Sequence, residues 1–346
     1  MPTPRWKRRP LGSNWGDFGP DDCIGRLNLL SREKILQGVD CVKEGQNFCL
    51  SLPLDYPGGN TLNPRRYPPQ LTATTRQGRA NYVYPFSIEN AKHTDVCCDD
   101  IALITLQYST QWDSLAHMGS LFDADGDGVP EAVFYNGWRA GEDVRAPPME
   151  NDYGKPRVDG CDAGKLSIAN MAETGVQGRA VLIDLERHIG RERVLVGYDQ
   201  LMEICDGDGV RVESGDMVCL YTGFADVVLE MNRQPDADLL HKCCAALDGR
   251  DEKLLRWITD SELTVLIADN YAVEGYPSRP GKGMHAMLPL HEHCLFKLGV
   301  HLGELFYLRE LALWLREHGR SHFLLTAPPL RLPGAAGSPV SAVATV

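Results

Sequence analysis

The apolar positions of the chain fall into short runs that are separated by turn-forming residues. Five of these runs have the length of a β-strand and are bounded by turn residues, a pattern that predicts buried strands. The predicted strands are residues 101–107, 180–185, 217–222, 263–268 and 323–327. Apolar runs of this length, spread along the whole chain, indicate a sheet built from distant segments.

Helical patterns are fewer. Residues 31–39 begin with Ser31 as a capping residue and carry Glu33 in the first turn, which predicts a helix. Residues 199–205 form a short candidate. Residues 305–318 have apolar positions at helical spacing and end before Gly319. Strands of mixed spacing with helices between them predict an α/β or α+β fold.

Two stretches, residues 55–81 and 123–162, are rich in glycine, proline and polar residues and read as loops. Neither has the character of a linker, because strand patterns continue on both sides. We therefore predict a single domain over residues 1–346. Asp123, Asp125 and Asp127 occupy the first positions of a calcium-loop pattern, but Phe134 stands where that loop needs a bidentate glutamate. We interpret residues 123–128 as a tight acidic turn, with a weakly bound surface calcium ion as the alternative.

Charge and composition exclude several classes of protein. The net charge of −12 argues against nucleic acid or an anionic membrane as a partner. No apolar stretch reaches the roughly eighteen residues of a membrane span. The basic N-terminal residues 1–10 lack the apolar run of a secretory signal. The eleven cysteines show no CxxC spacing, so a structural zinc site is not indicated. For a large chain without a signal peptide we expect reduced thiols and a cytoplasmic protein.

Candidate chemistry is concentrated in two places. If the strand that begins at Ile101 continues, Gln107, Gln111 and Asp113 point to one face of it, because side chains alternate along a strand. A turn after Asp113 then brings His117 beside this carboxylate. Clustered oxygen and imidazole donors are what a divalent cation requires. A histidine at such a cluster can act as a general base near neutral pH.

The second place is the segment that contains His291, Glu292 and His293 and is followed by Glu304. A His-Glu-His run is a weak metal signal and differs from the HExxH pattern of zinc proteases. Each residue alone has an ordinary explanation, either packing or a solvated charge. His301, which lies between His293 and Glu304, is interpreted as a surface or packing histidine.

Taken together, the two segments resemble the cyclase family of metal-dependent hydrolases, which includes bacterial kynurenine formamidase and isatin hydrolase. The family pattern is H-x-G-T-H-x-D-x-x-x-H, followed by a later histidine and then a glutamate. Residues 107–117 read QYSTQWDSLAH at this place. Other segments similar to the family, in the same order, are residues 15–17, 25–30, 215–223, 267–270, 327–330 and 337–340. Several motifs in the right order are more specific than any one of them.

The resemblance implies a ligand set and a catalytic residue. Asp113 and Glu304 stand at the positions of carboxylate ligands, and His117 stands at the position of the catalytic histidine. The late histidine ligand falls on His291, with His293 as the alternative. If His117 is instead a ligand, another group must act as the base.

Gln107 and Gln111 replace the two early histidines of the family. An amide oxygen is a neutral, hard and weaker ligand than imidazole. We therefore expect one divalent ion rather than two, either manganese or zinc, with manganese favoured. The alternative is that both glutamines bind the substrate and no metal.

The implied fold is a single α/β domain of the swivelling β/β/α type, assembled as a homodimer or homotetramer. The implied reaction is hydrolysis of an amide bond, including a cyclic one, or of a lactone, by a metal-activated water. A small molecule is the expected substrate, and its predicted contacts are Trp15, Asn28, Trp112, Thr222 and Asn270. For the tryptophans, ordinary core packing is the alternative. A non-hydrolytic metal-dependent cyclase or lyase, and an inactive small-molecule-binding homologue, remain the other functional hypotheses.

Overall fold

The computed structural model describes residues 5–147 and 160–346. Within these residues the chain forms nineteen strands, most of them short. They are β1 (Asn47–Cys49), β2 (Gln70–Ala73), β3 (Thr75–Arg76), β4 (Arg79–Ala80), β5 (Tyr84–Pro85), β6 (Val96–Cys97), β7 (Asp100–Leu103), β8 (Gln111–Asp113), β9 (Ser120–Phe122), β10 (Glu131–Val133), β11 (Gln177–Asp184), β12 (Leu195–Val196), β13 (Met217–Tyr221), β14 (Ala246–Leu247), β15 (Val265–Ala268), β16 (His301–Glu304), β17 (His322–Thr326), β18 (Gly337–Pro339) and β19 (Val343–Thr345).

The same part of the chain contains nine α-helices. They are α1 (Arg32–Asp40), α2 (Ile168–Glu173), α3 (Leu185–Ile189), α4 (Tyr198–Asp208), α5 (Phe224–Glu230), α6 (Ala237–Lys242), α7 (Glu252–Asp260), α8 (Pro289–His291) and α9 (Arg309–Glu317). Helix α8 continues directly into a π-helical segment, Glu292–Leu298. In the described residues no helix has the length and apolar character needed to cross a membrane.

A nine-stranded sheet forms the centre of the molecule, in the order β1-β19-β17-β11-β13-β15-β16-β8-β18. Strands β11, β13, β15 and β16 run parallel to one another. The remaining pairings in this sheet are antiparallel. Strand β8 is thus an inner strand, with β16 on one side and β18 on the other.

Both faces of the sheet are buried. Along β13, Val218 and Leu220 belong to one hydrophobic core, whereas Met217, Cys219 and Tyr221 belong to a second core on the opposite face. Strands covered on both faces read as continuous apolar runs rather than as alternating patterns. This is why the sequence predicts buried strands here, and the expected α/β fold is confirmed.

Residues 70–103 form a ribbon that is separate from the central sheet. It consists of three antiparallel pairs, β2 with β7, β3 with β4, and β5 with β6. Its large apolar side chains are unusually exposed: Leu71 is 68% exposed, and Ile101 and Leu103 are each 53% exposed. An isolated two-stranded ribbon is only marginally stable in water, because one strand cannot shield the other.

Four predicted strands are confirmed as β11, β13, β15 and β17, and the helices predicted over residues 31–39 and 199–205 are confirmed as α1 and α4. The prediction of one strand over residues 101–107 is wrong beyond Leu103. The chain leaves the ribbon there and turns, and the strand with the candidate ligands is the separate β8. The helix predicted from residue 305 begins only at Arg309, since residues 305 and 306 are tied to β15 and its following loop through Asn270 and Ala268.

Of the loop predicted over residues 123–162, residues 148–159 lie outside the described part. The acidic turn at its start is closed by its own side chains. Asp125 accepts a hydrogen bond from the backbone N–H of Asp127, and Asp123 accepts one from Gly128. Asp123 also pairs with Arg8 at 2.7 Å. Asp123, Asp125 and Glu131 have the spacing of a cation site, but Glu131 is paired with Arg139.

Candidate metal centre

Strand β8 presents Gln111 and Asp113 on one face of the sheet and Trp112 on the other. The predicted alternation is therefore confirmed for these three residues. Gln111 lies directly opposite Glu304 of the antiparallel strand β16, so the two side chains project from the same face. The pairing of β8 with β16 thus brings together residues that are far apart in the sequence.

His291 lies at the end of α8 and is fixed by a buried carboxylate, that of Glu274. The Oε1 atom of Glu274 is 2.9 Å from His291 Nδ1 and accepts the backbone N–H of His291 at 2.9 Å. Its Oε2 atom accepts the backbone N–H of Leu290 at 3.1 Å. With Nδ1 occupied, the ring presents Nε2 to Glu304, whose Oε1 atom is 3.4 Å away.

Asp113, His291 and Glu304 form a compact buried group. One ligand atom from each lies within 4.8 Å of the other two. The predicted ligands on β8, α8 and β16 are therefore brought together. Two carboxylates and one imidazole at this spacing match the donor set of a site for a divalent transition metal such as manganese.

Unpartnered oxygens show that a cation fits the group. Gln111 donates from Nε2 to Glu304 at 3.2 Å, which leaves its Oε1 atom free to accept. That atom and both oxygens of Asp113 are buried and have no hydrogen-bond donor among the described residues. A buried carboxylate without a donor is strongly unfavourable. A positive ion held between these oxygens removes that cost.

Each ionisable side chain of the group affects the pKa of its neighbours. Burial raises the pKa of Asp113, although His117 and Arg66 act in the opposite direction. Burial acts to lower the pKa of His291, but its hydrogen bonds to Glu274 and Glu304 outweigh this and raise it to about 10. Burial acts to raise the pKa of Glu304, but His291 brings it below its ordinary value. A cation that binds here must displace the proton of His291.

His117 sits at the edge of the group. A turn closed by the hydrogen bond from His117 N–H to the Ser114 carbonyl follows β8. It places His117 Nδ1 3.7 Å from Asp113 Oδ1, as the sequence predicts, and leaves the side chain 21% exposed. The ring is therefore near the buried carboxylate and still open to solvent, which suits a residue that exchanges protons.

A cavity of about 550 Å³ opens beside the group. His117, His291 and Glu304 form part of its wall, and Arg65, Arg66, Tyr271 and His241 form other parts. Tyr271 and His241 are paired, with the tyrosine hydroxyl 2.7 Å from Nδ1 of the histidine. The volume is typical of a site for a small molecule.

Two predicted ligands lie elsewhere. His293 faces α7, where its Nε2 atom is 2.9 Å from the Thr259 hydroxyl, and burial lowers its pKa to about 4. Of the two late histidines, only His291 is in the buried group. Gln107 lies on the turn before β8, with its amide nitrogen packed against Gly337, and is not part of the cavity wall.

The residues predicted to contact substrate lie outside the cavity wall, and each has a structural partner instead. Trp15 and Trp112 are core residues whose indole N–H groups donate to the Phe296 and Ala327 carbonyls. Asn28 is bonded to Asp22 and Gly25 at the surface. Thr222 binds Asp269, and Asn270 donates to the Ala245 carbonyl. Core packing, the alternative weighed for the tryptophans, is what the structure shows.

Several residues at the site are not signalled by the sequence. Glu274 belongs to no motif, and it contacts His291 because its loop packs against the start of α8. Arg65 and Arg66 lie in a proline-rich loop, where adjacent arginines usually indicate a solvated surface. The one available signal is that an Arg-Arg pair in an acidic chain precedes the candidate ligand segment.

The fold and the buried cluster place the protein in the class of α/β enzymes that carry a candidate metal-binding group beside a small-molecule cavity. Residues 50–275 match the model of the family described as "Putative cyclase". This is well over half of the chain, and the chain therefore belongs to the cyclase family. The matched range includes β8 and His117 and ends before His291.

Solved structures agree with this assignment. A protein described as a novel cyclase is 27% identical, with 96% of this chain and 97% of that chain covered and a TM-score of 0.72. Isatin hydrolase A from Labrenzia aggregata, bound to benzyl benzoate, is 12% identical, with 86% and 93% covered and a TM-score of 0.53. Isatin hydrolase A from Ralstonia solanacearum is 14% identical, with 86% and 91% covered and a TM-score of 0.52. No curated protein sequence matches the chain.

Proposed function

We propose that the protein is a metal-dependent hydrolase that cleaves an amide bond, including a cyclic one, or a lactone. The observation that carries this proposal is the convergence of Asp113, His291 and Glu304 in one buried group with unpartnered oxygens on Asp113 and Gln111. Two of its members, His291 and Glu304, line a cavity that also exposes His117. The fold shared with proteins named isatin hydrolase is consistent with it.

The residues that would hold a single divalent ion are Asp113, His291 and Glu304, with Gln111 Oε1 as a further oxygen donor. The donor set is richer in oxygen than in nitrogen, which favours manganese over zinc. When bound, such an ion supplies Lewis acidity toward a carbonyl oxygen and lowers the pKa of a water molecule.

The chain's own residues supply orientation and proton transfer. Glu274 holds the imidazole of His291 in one tautomer, with Nδ1 toward the carboxylate. His117 has Nδ1 directed to Asp113, so Nε2 is the ring nitrogen left to exchange a proton with a ligand in the cavity. In hydrolysis it would take a proton from the attacking water and return it to the leaving nitrogen or oxygen.

Metal content tests the first half of the proposal. Protein purified without chelators should contain about one manganese or zinc ion per chain by mass spectrometry of the metals. Asp113→Asn and Glu304→Gln should lose it. His293→Gln is the matched control, since His293 lies two residues beyond His291 but faces α7, and it should keep the ion. If the parent protein binds neither manganese nor zinc after incubation with them, the proposal fails.

Oxygen incorporation tests the second half. A panel of formamides, cyclic amides and lactones incubated with the protein in heavy-oxygen water should give one product that contains solvent oxygen. A metal-dependent conversion without solvent oxygen would contradict hydrolysis and identify a non-hydrolytic cyclase or lyase. Tight ligand binding without any conversion would identify an inactive homologue.

A further inference from the structure

Two adjacent arginines, Arg65 and Arg66, line the cavity wall together with His117 and Glu304. The chain carries 47 acidic residues against 35 basic ones, so carboxylate partners are abundant. The described residues nevertheless give neither arginine an ion pair, whereas Arg76 and Arg233 in neighbouring segments are each paired with a carboxylate. The cavity wall therefore carries two guanidinium groups that no carboxylate among the described residues binds directly, although Arg66 lies close enough to Asp113 and Glu304 to act on both carboxyl groups in the direction that lowers the pKa.

Hydrogen bonds to the turn before β8 fix the position of Arg66 and of its loop. Its Nη1 atom donates to the Gln107 carbonyl at 2.7 Å, on the turn that leads into β8. The hydroxyl of Tyr108, on the same turn, accepts from Gly58 N–H and donates to the Gly59 carbonyl. The loop that carries Arg66 is thus fixed to the segment that carries Asp113. These contacts hold the guanidinium at the cavity wall.

Most of the hydrogen-bonding capacity of Arg66 is unused. A guanidinium has five N–H groups in a planar fork, and the bond to Gln107 occupies one of them. The remaining groups have no acceptor among the described residues. Arg66 is half-buried, which strengthens its interaction with any anion that enters the cavity, because the surrounding protein screens less than water does.

We propose that Arg66, supported by Arg65, forms a carboxylate-binding subsite in this cavity. The substrate would then carry a carboxylate apart from the bond that is cleaved. A planar guanidinium fork binds a carboxylate through two parallel hydrogen bonds, which fixes the orientation of the molecule as well as its position. This inference rests on the proposed function for the bond that is cleaved, but the subsite itself rests on the two arginines.

The test uses pairs of probes that differ only in charge: anthranilate with 2-aminobenzamide, and hexanoate with hexanamide. Binding is measured by calorimetry on manganese-loaded protein and on protein stripped by a chelator. The carboxylate of at least one pair should bind about tenfold more tightly than its neutral amide in both preparations, because charge-assisted hydrogen bonds exceed neutral ones. The stripped protein excludes direct binding of the carboxylate to manganese.

Three variants locate the effect. Arg66→Gln should abolish the preference for the carboxylate. Arg66→Lys, which keeps the charge and can still donate to Gln107, should retain only part of it, because the fork is lost. Arg79→Gln is the matched control: it removes the same charge from an exposed ribbon strand outside the cavity wall and should leave the preference intact. Thermal melting of each variant shows whether it is folded.

Three results would overturn the subsite. One is equal affinity for both members of every pair in the parent protein. The second is a preference that survives in Arg66→Gln. The third is a preference that appears only in manganese-loaded protein, which would place the carboxylate on the metal. If Arg66→Gln does not fold, an undiminished preference in Arg66→Lys also rejects it. Failure of the proposed function is seen separately, as absent metal or absent turnover in the parent protein.

Discussion

At the scale of single residues, the role of His291 depends on Glu274. This carboxylate receives two backbone N–H groups and lies against the imidazole, so it fixes both the start of α8 and the orientation of the ring. Residues that orient a metal ligand in this way raise the basicity of the imidazole and hold it in one tautomer. Glu274 therefore orients a ligand of the candidate metal site without being a ligand itself.

We expect Glu274→Gln to weaken manganese binding about 10–100-fold, because a glutamine amide keeps the shape of the side chain but not its charge. The affinity is measured by calorimetric titration of metal-free protein. His293→Gln, in the π-helical segment beside α8, is the control and should bind manganese as the parent protein does. An unchanged affinity in Glu274→Gln would show that the ring is positioned by packing alone.

His301 predicts a second residue-scale effect, on stability. It is completely buried, its Nδ1 atom has no partner among the described residues, and burial lowers its pKa to about 3. In the unfolded chain its pKa is about 6.5, so the unfolded state binds more protons between these two values. The free energy of unfolding should therefore fall by about 1 kcal/mol per pH unit as the pH drops below about 6.

The measurement is urea unfolding at several pH values between 7 and 4.5. His301→Phe should remove this part of the pH dependence, because phenylalanine fills the same buried space and does not titrate. His93→Gln, at an exposed position on the ribbon, should leave the slope as it is. A slope that is identical in His301→Phe and the parent protein would mean that other groups cause the acid sensitivity.

At the scale of elements, the register between β8 and β16 depends on a glycine. A Cβ atom at Gly303 would lie 2.8 Å from Phe306 and 3.0 Å from Trp112, so the missing side chain leaves room for the indole opposite. Trp112 in turn donates to the Ala327 carbonyl and is fully buried. The close approach of these two strands, which sets the spacing of Gln111 and Glu304, therefore depends on Gly303.

We expect Gly303→Ala to destabilise the protein by about 1–3 kcal/mol, because the added methyl group overpacks the interior. Gly207→Ala provides the opposite case. Gly207 lies in α4 with open space around it, so alanine should stabilise the helix by about 0.5–1 kcal/mol. Urea unfolding midpoints distinguish the two. Equal effects of the two substitutions would contradict the packing argument.

The elements also show what a sequence can predict. Strands β11, β13 and β15 were predictable because burial on both faces gives continuous apolar runs. The split between β7 and β8 was not, because the apolar pattern of residues 101–106 is that of any strand, and only tertiary contacts place it in the exposed ribbon. At the site, strand alternation and a following turn suggested Asp113 and His117, and the resemblance to the cyclase family implied the roles of Asp113, His117, His291 and Glu304. Glu274 and Arg66 reach the site because segments that are far apart in the sequence meet in the fold, and no local sequence pattern predicts these contacts.

At the scale of the whole molecule, the ribbon of residues 70–103 exposes large apolar side chains that no other part of the described chain covers. It exposes Ile101 and Leu103 on one face and Leu71 on the other, and among the described residues its two long strands, β2 and β7, pair only with each other. An exposed apolar face of this kind, here that of Ile101 and Leu103, is typical of an interaction site. We propose that the homo-oligomer expected from the sequence forms through this face.

We expect the mass in solution, measured by light scattering, to exceed the 38.3 kDa of one chain. The double variant Ile101→Lys with Leu103→Lys should shift the protein toward single chains, because it places two charges on one face of the ribbon. Leu121→Lys, at a position that is 74% exposed but outside the ribbon, should not. A parent protein that is monomeric at every concentration tested would reject this expectation.

The position of β8 within the central sheet has a consequence for the order in which the protein is assembled. During synthesis, β8 emerges long before its only partners in the described sheet, β16 and β18. The backbone of β8 has no hydrogen-bonding partner, and Asp113 has no neighbouring ligand, until the segment that contains β16 has been translated. This segment lies more than half of the chain length further on. Contacts of such long sequence separation form slowly. If Asp113, His291 and Glu304 hold a metal ion together, its capture requires that β16 has paired with β8. Metal uptake during refolding should then coincide with the slow formation of this strand pair.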